Sequence, residues 1–230
     1  DYRSSRGLGD VYKRQEANRA RALQRLWCEQ RLSKVNPPRE AEAPQESYVL
    51  VVDQSAGDRS IALGLADASC LQRMLKAALQ DHPDRTVVVK VHPDVISGRS
   101  RGHFTAEDLA HPRVRLSADG GHPARLLERA RAVYVVTSQM GFEALLWGRP
   151  VHCFGMPFYG GWGLTHDRCD SPARRRQGAS LEALVHAVLV GACRCIDPQR
   201  HQPCRIETLM GAIGLQLSLI HISEPTRRPI

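Results

Sequence analysis

Four stretches of the chain place reactive or ligand-binding side chains directly after apolar runs. They are Asp53-Gln54 with Gly57-Asp58, His92-Pro93-Asp94, Thr137-Ser138-Gln139, and Gly155 leading into P-F-Y-G-G-W-G-L-T at 157–165. Asp58 is a carboxylate of the kind that attacks an anomeric carbon or acts as a base. It can equally cap a helix begun by S-I-A-L-G. His92 stands between a valine-rich run and a proline, where an imidazole either donates to a phosphate or serves the fold alone. Thr137 and Ser138 offer hydroxyls beside the free N–H groups of a helix start at 139–142, with Gln139 in its first turn and Gly141 allowing close approach. That group suits a phosphate; the competing reading makes Ser138 a cap and Gly141 a packing residue. Glu143, one turn further in, can accept from a sugar hydroxyl or a base amine, or simply favour the helix start. Phe158, Tyr159 and Trp162, set among Gly160, Gly161 and Gly163, suit the wall of a pocket for a base or a sugar ring.

The elements that must position these groups follow from periodicity. A helix is expected over 16–35, with Leu23, Leu26 and Trp27 on one face, and a Pro-rich linker over 36–45. Y-V-L-V-V-D-Q at 48–54 reads as a buried parallel strand, as does T-V-V-V-K-V at 86–91. Between them lies helical material with Leu71, Met74, Leu75 and Leu79 on its apolar side. After a polar excursion at 97–103 come a short strand at 114–116 and a helix at 123–130. Strand A-V-Y-V-V-T, helix Q-M-G-F-E-A-L-L-W and strand P-V-H-C-F then follow in quick succession, and a last helix is expected at 181–189. Strand and helix alternate over 48–192, the pattern of an α/β, Rossmann-like parallel sheet with helices on both faces. Ligands of such sheets lie beyond the carboxyl ends of the strands, where the four stretches fall.

Composition narrows the classes of function. The 230 residues carry 32 Lys+Arg against 24 Asp+Glu, a formal charge of +8 that suits an anionic ligand or a membrane surface. The block Arg174-Arg175-Arg176 reads as a solvated face. No nucleic-acid partner is expected, because charge alone suggests one. No G-x-G-x-x-G follows the first strand and no G-x-x-x-x-G-K-[ST] occurs anywhere, which removes the main warrant for a dinucleotide oxidoreductase or a P-loop nucleotidase. The seven cysteines form no Cys-x-x-Cys pair, and Cys193, Cys195 and Cys204 lack zinc spacing, so neither metal nor cofactor is expected. Thiol usage fits a reducing cytoplasm. Residues 1–15 and 221–230 show no clear periodicity and resemble translated sequencing-adaptor read-through. They are expected to be foreign to the fold, with 16–47 the remnant of a preceding lobe and 48–210 the domain proper.

Taken together, Q-S-A-G-D-R-S-I at 54–61, V-K-V-H-P-D at 89–94, V-Y-V-V-T-S-Q-M-G-F-E-A-L-L-W-G-R-P-V-H-C-F-G at 133–155 and P-F-Y-G-G-W-G-L-T-H-D at 157–167 resemble the capsular polysaccharide biosynthesis proteins of the KpsC/LipB type. The likeness continues through I-D-P at 196–198 and P-C-R-I-E at 203–207. It implies one lobe of a two-lobed, GT-B-like glycosyltransferase that takes Kdo from CMP-β-Kdo with retention and builds a poly-β-Kdo linker on a lipid-linked Kdo acceptor. By the same resemblance Asp58 is the catalytic carboxylate. His92, Pro93, Thr137, Ser138, Gln139, Gly141 and Glu143 bind the donor, and Phe158 to Gly163 shape its pocket. The family also implies a cytoplasmic protein meeting capsule-assembly machinery at the inner face of the membrane. Two other readings stay open: a non-catalytic glycan- or nucleotide-binding component of capsule export, and a transferase using another nucleotide sugar.

Overall fold

The computed structural model describes the backbone of residues 2–175 and 178–223, and their side chains except those of 2–12, Pro93, Arg174 and 220–223. The chain divides into two compact units, residues 33–178 and residues 1–32 with 179–230.

The first unit is built on a six-stranded sheet, every pair of neighbours parallel. Its strands are β1 (Tyr48–Val52), β2 (Thr86–Lys90), β3 (Val114–Ser117), β4 (Val133–Val135), β5 (Val151–Cys153) and β6 (His166–Asp167), in the order β3-β2-β1-β4-β5-β6. This is the doubly wound order, with its switch point between β1 and β4. All five residues of β1 are buried, as a central strand covered on both faces requires. Val49 and Val51 face one side, where they pack with Leu71, Met74, Leu75 and Ala78 of the long helix at Ser69–Asp81. Tyr48 faces the other, its hydroxyl donating to the Leu126 carbonyl at 2.8 Å.

The second unit holds α1 (Tyr2–Glu29). Arg19 of α1 grips both carboxylate oxygens of Glu207 at 2.7 and 3.0 Å, and Arg21 meets Glu182 at 3.0 Å. In the first unit follow α2 (Arg59–Leu63), α3 (Ser69–Asp81), α4 (Pro93–Ile96), α5 (Ala106–Leu109), α6 (Ala124–Arg129) and α7 (Met140–Leu146). The second unit is completed by α8 (Leu181–Val185), a π-helical extension over His186–Ala192, a hairpin of β7 (Cys195–Ile196) and β8 (Pro203–Cys204), and α9 (Ile206–Ser223). Among the described residues no helix is long and apolar enough to cross a membrane.

Three boundaries differ from expectation. Residues 179–210 group with α1 rather than with the sheet, because α8 packs on α1. The helix expected at 16–35 extends back to Tyr2 through residues expected to lie outside the fold; residue 1 and residues 224–230 fall outside the described residues. The Pro-rich stretch 36–45 is not a free linker: Ala41 N–H donates to the His122 carbonyl at 2.9 Å and His122 N–H to that of Arg39 at 2.7 Å. Gly121 permits this approach, since a Cβ there would lie 2.5 Å from the Ala41 backbone.

Candidate functional site

The carboxyl end of β1 runs into Asp53, Gln54 and a tight turn in which Asp58 N–H donates to the Ser55 carbonyl at 3.1 Å. Gly57 carries the turn at φ +82°, a conformation that an L side chain rarely adopts. The turn delivers Asp58 to the N-cap of α2, where its Oδ1 accepts from Ser60 N–H at 2.8 Å. The second oxygen, Oδ2, accepts from the Gln54 amide at 3.0 Å. Burial pushes the Asp58 carboxyl up, but the hydrogen bonds from Ser60 and Gln54 outweigh it and hold the group below its ordinary value. Asp58 is therefore ionised at neutral pH.

At the neighbouring strand end His92 follows β2. Its Nδ1 accepts from the Asp94 N–H at 3.2 Å and meets the Ser55 hydroxyl at 3.0 Å. A backbone N–H can only donate, so Nδ1 is the acceptor and the neutral ring carries its proton on Nε2. The ring is thereby fixed between the two strand ends with a donor on its other nitrogen.

Ser55, Asp58 and His92 line one open cleft of about 550 Å³, together with Ala56, Gly57, Asp94, Arg99 and Ser100. The cleft lies beyond the carboxyl ends of β1 and β2, and the polar excursion at 97–103 forms its outer side. That excursion is pinned: Ala56 N–H donates to the Arg101 carbonyl at 2.8 Å, and His103 Nδ1 to that of Gln54 at 2.7 Å. Gly102 sits where a Cβ would come 2.7 Å from Asp53 Oδ2. Asp53 is buried, and burial raises its carboxyl against the opposing hydrogen bonds of Gln54 N–H and His103. Arg99 reaches Asp94 at 3.4 Å from an exposed position. The cleft thus offers the carboxylates of Asp58 and Asp94, the His92 imidazole N–H and the exposed Arg99 guanidinium.

Thr137, beyond β4, joins Asp58 indirectly. Its N–H donates to Gln54 Oε1 at 2.9 Å, and its hydroxyl lies 2.9 Å from both Gln54 Nε2 and the Ser60 hydroxyl. Ser138, Gln139, Gly141 and Glu143 are not among the cleft's lining residues. Ser138 Oγ accepts from Met140 N–H at 3.3 Å, and its carbonyl accepts from the Tyr159 hydroxyl. Gln139 occupies the N-cap of α7 without a side-chain bond.

Glu143 lies inside the unit, only 1% exposed, rather than at a pocket surface. Its carboxylate accepts from the Ser33 hydroxyl at 2.7 Å and from Lys34 N–H at 3.1 Å. Every residue of α7 from Gly141 to Leu146 is buried, so α7 has no solvent face to present a carboxylate. Gly141 is a packing residue, because a Cβ there would meet the Tyr159 ring and hydroxyl.

The glycine-rich loop is ordered by its own contacts. Tyr159 is fully buried against Gly141, so it is core rather than pocket wall. Asp167 accepts from Gly161 N–H at 3.0 Å and from the Thr165 hydroxyl at 2.7 Å. Arg175 donates to the Gly160 carbonyl at 2.8 Å and lies 5.3 Å from the centre of the Trp162 ring. His166-Asp167 leaves the loop as β6, an edge strand that periodicity does not announce because only two residues pair. Phe158 remains exposed at the loop's tip. The Pro93 side chain and Arg176 lie outside the described residues. Among the described residues no group of three His, Cys, Asp or Glu is placed to hold a metal, and all seven cysteines are free thiols.

The capsule polysaccharide biosynthesis protein family model matches residues 1–195. The chain belongs to this family. Among its relatives, the capsule polysaccharide modification protein LipA of Neisseria meningitidis serogroup B is 45% identical over 172 residues, 73% of this chain and 24% of LipA. The lipopolysaccharide-processing protein LpsZ of Rhizobium meliloti is 35% identical over 148 residues, 64% of this chain and 33% of LpsZ. This capsule-family chain therefore spans about a quarter to a third of the length of those relatives. Among solved structures, Thermosulfurimonas dismutans KpsC, beta Kdo 2,4 transferase, superposes with a TM-score of 0.80 at 35% identity, covering 87% of this chain and 63% of that one. The beta Kdo 2,7 transferase of the same KpsC superposes at 0.66 with 25% identity, covering 87% and 61%. The α/β sheet of the family chain is thus that of a KpsC-type lobe.

The cleft brings together two of the expected residues, Asp58 and His92. It adds Ser55, Arg99 and Ser100, for which the sequence carries no signal beyond their place in loops after strands. Gln54 was visible as a strand-end residue, but its partner Thr137 lies 83 positions away.

Proposed function

We propose that residues 33–178 form the donor lobe of a retaining Kdo transferase of capsule assembly, with CMP-β-Kdo as donor and a lipid-linked Kdo chain as acceptor. The observation that carries this reading is the convergence of Asp58 and His92 on one cleft outside the carboxyl ends of β1 and β2. The likeness to the 2,4 transferase at 35% identity, against 25% for the 2,7 transferase, supports a 2,4 linkage.

On this reading an Asp58 oxygen bonds to the anomeric carbon as the bond from that carbon to the phosphate oxygen breaks, the electron pair leaving with CMP. The His92 Nε2–H and the Arg99 guanidinium meet the charge that develops on the departing phosphate. The acceptor hydroxyl then bonds to the same carbon, giving up its proton to solvent or a base, and Asp58 departs as a carboxylate. Two inversions give net retention. Thr137, Ser138 and Gln139, at the neighbouring strand end, are the proposed second contact for the nucleotide, and the exposed Phe158 with Trp162 the proposed ring wall. With a lipid-linked acceptor, the complete enzyme works at the inner face of the cytoplasmic membrane.

One observation favours a second reading. Both Asp58 oxygens already accept hydrogen bonds, one of them the Ser60 N–H bond of an N-cap, which suits a lobe that binds nucleotide or glycan without catalysis. Calorimetric titration of this chain with CMP, against UMP and GMP, tests the shared part: CMP-selective binding is expected, and it is lost in His92→Ala. Asp58→Asn in the full-length parent then separates the two. Transfer abolished with CMP binding retained supports the nucleophile; transfer retained refutes it.

A further inference from the structure

We infer that Gln54 is the positioning residue of this site: it fills the crevice between β1 and β4 and aims the Asp58 carboxylate into the cleft. The inference rests on the donor-lobe reading for the role of Asp58, but its geometry stands apart from that reading.

In a doubly wound sheet the crevice at the switch point is where ligands lie. Here Gln54 bridges its two sides. Gln54 follows β1, is 3% exposed, and spans to the end of β4. Its amide can adopt only one orientation. The Thr137 N–H can only donate, so the Gln54 atom 2.9 Å away is the carbonyl oxygen. The NH2 group is thereby turned toward Asp58 Oδ2 at 3.0 Å, Thr137 Oγ1 at 2.9 Å and Ser60 Oγ at 3.2 Å. A flipped amide would set oxygen against carboxylate and nitrogen against N–H, repulsive at both ends.

The consequence for Asp58 is a fixed carboxylate plane. Oδ1 is tied to Ser60 N–H at 2.8 Å and Oδ2 to Gln54, while the Ser60 and Thr137 hydroxyls brace one another at 2.9 Å. Asp58 alone, as a cap, would need only Ser60. The second tie connects the reacting carboxylate to β4 across 83 residues, so that β1, α2 and β4 set its direction together. The open cleft lies beside this tie, at the ends of β1 and β2, where Ser55 and His92 stand. A side-chain amide satisfies both a fixed N–H and a carboxylate at once; leucine satisfies neither and an ionised glutamate only the first.

Carboxyl-detected NMR on the full chain tests this. In the wild type the Gln54 side-chain amide signals are expected to shift with the same midpoint as the Asp58 carboxyl carbon. In Gln54→Glu, which keeps an acceptor for Thr137 N–H, two carboxylates share one place, and the midpoint assigned to Asp58 rises by about one unit or more, a tenfold gain in proton affinity. In the full-length parent the same variant lowers kcat about 100-fold with KM little changed, since a mis-aimed group costs rate rather than binding. Gln54 amide signals indifferent to the Asp58 titration, or an Asp58 midpoint unmoved in folded Gln54→Glu, overturn the inference. If Gln54→Glu does not fold, the wild-type titration decides alone. Linked titration in a chain that binds no CMP upholds the Gln54–Asp58 tie and sinks the donor reading; CMP binding with unlinked titration does the reverse.

Discussion

Replacing Glu143 with glutamine turns its burial into a measurable pH dependence of stability. Burial pushes the Glu143 carboxyl up from 4.5 to about 7, against the hydrogen bonds from Ser33 and Lys34 N–H and the nearby charge of Lys34. The folded chain therefore holds this proton to about pH 7, while the unfolded chain releases it near 4.5. Between those values the folded state binds more protons, so the contribution is complete below pH 4.5 and is lost as pH rises through 7. A separation of this size corresponds to about 3 kcal/mol over the whole window. The amide in the Glu143→Gln variant never titrates, and every other group titrates alike in both proteins, so the stability difference between variant and wild type isolates Glu143. Urea unfolding of both from about pH 4.5 to about pH 8.5 should show Glu143→Gln gaining about 3 kcal/mol relative to wild type as pH rises. A flat difference refutes the reasoning. A difference of opposite slope would mean that the Ser33 and Lys34 donors hold the carboxylate ionised inside the unit.

Two further outcomes follow from packing and burial. Gly141→Ala should destabilise the sheet unit by about 1–3 kcal/mol, read as a lowered urea midpoint at unchanged slope, because the added Cβ runs into the Tyr159 ring and hydroxyl. His152 is pushed down to about 4, by burial first and by His166 and Arg168 next, while its ring stacks 4.3 Å from Tyr134. Its contribution is present above the unfolded value of 6.5 and is lost as pH falls toward 4, so His152→Phe should flatten the acid side of the stability curve; an unchanged acid limb counts against it.

The strands and the long helices were legible because their residues are locally consistent. Y-V-L-V-V can be little else than a buried strand, and the stripe Leu71, Met74, Leu75 on α3 needs a sheet to cover it. Asp58 and His92 could be picked out because the end of a parallel strand is where such a sheet exposes its polar groups, wherever in the order the strand lies. The short elements were not legible. β6 pairs only two residues, and its existence depends on β5 being next to it. Glu143 reads as a first-turn carboxylate from sequence, and only the cover that Ser33 and Lys34 lay over it makes it interior. Tyr159 looks like a pocket aromatic until Gly141 is seen to make room for it.

By itself the sequence determined an alternating α/β chain with a carboxylate after β1, an imidazole after β2 and hydroxyls after β4, since periodicity and turn chemistry act over a few residues. The tertiary structure alone decided that β1 lies between β2 and β4, that Asp58 and His92 therefore share a cleft, and that Gln54 closes the gap to Thr137. Strand order is set by which apolar faces cover one another across the whole chain, and a contact spanning 83 residues leaves no periodic trace for local sequence to show.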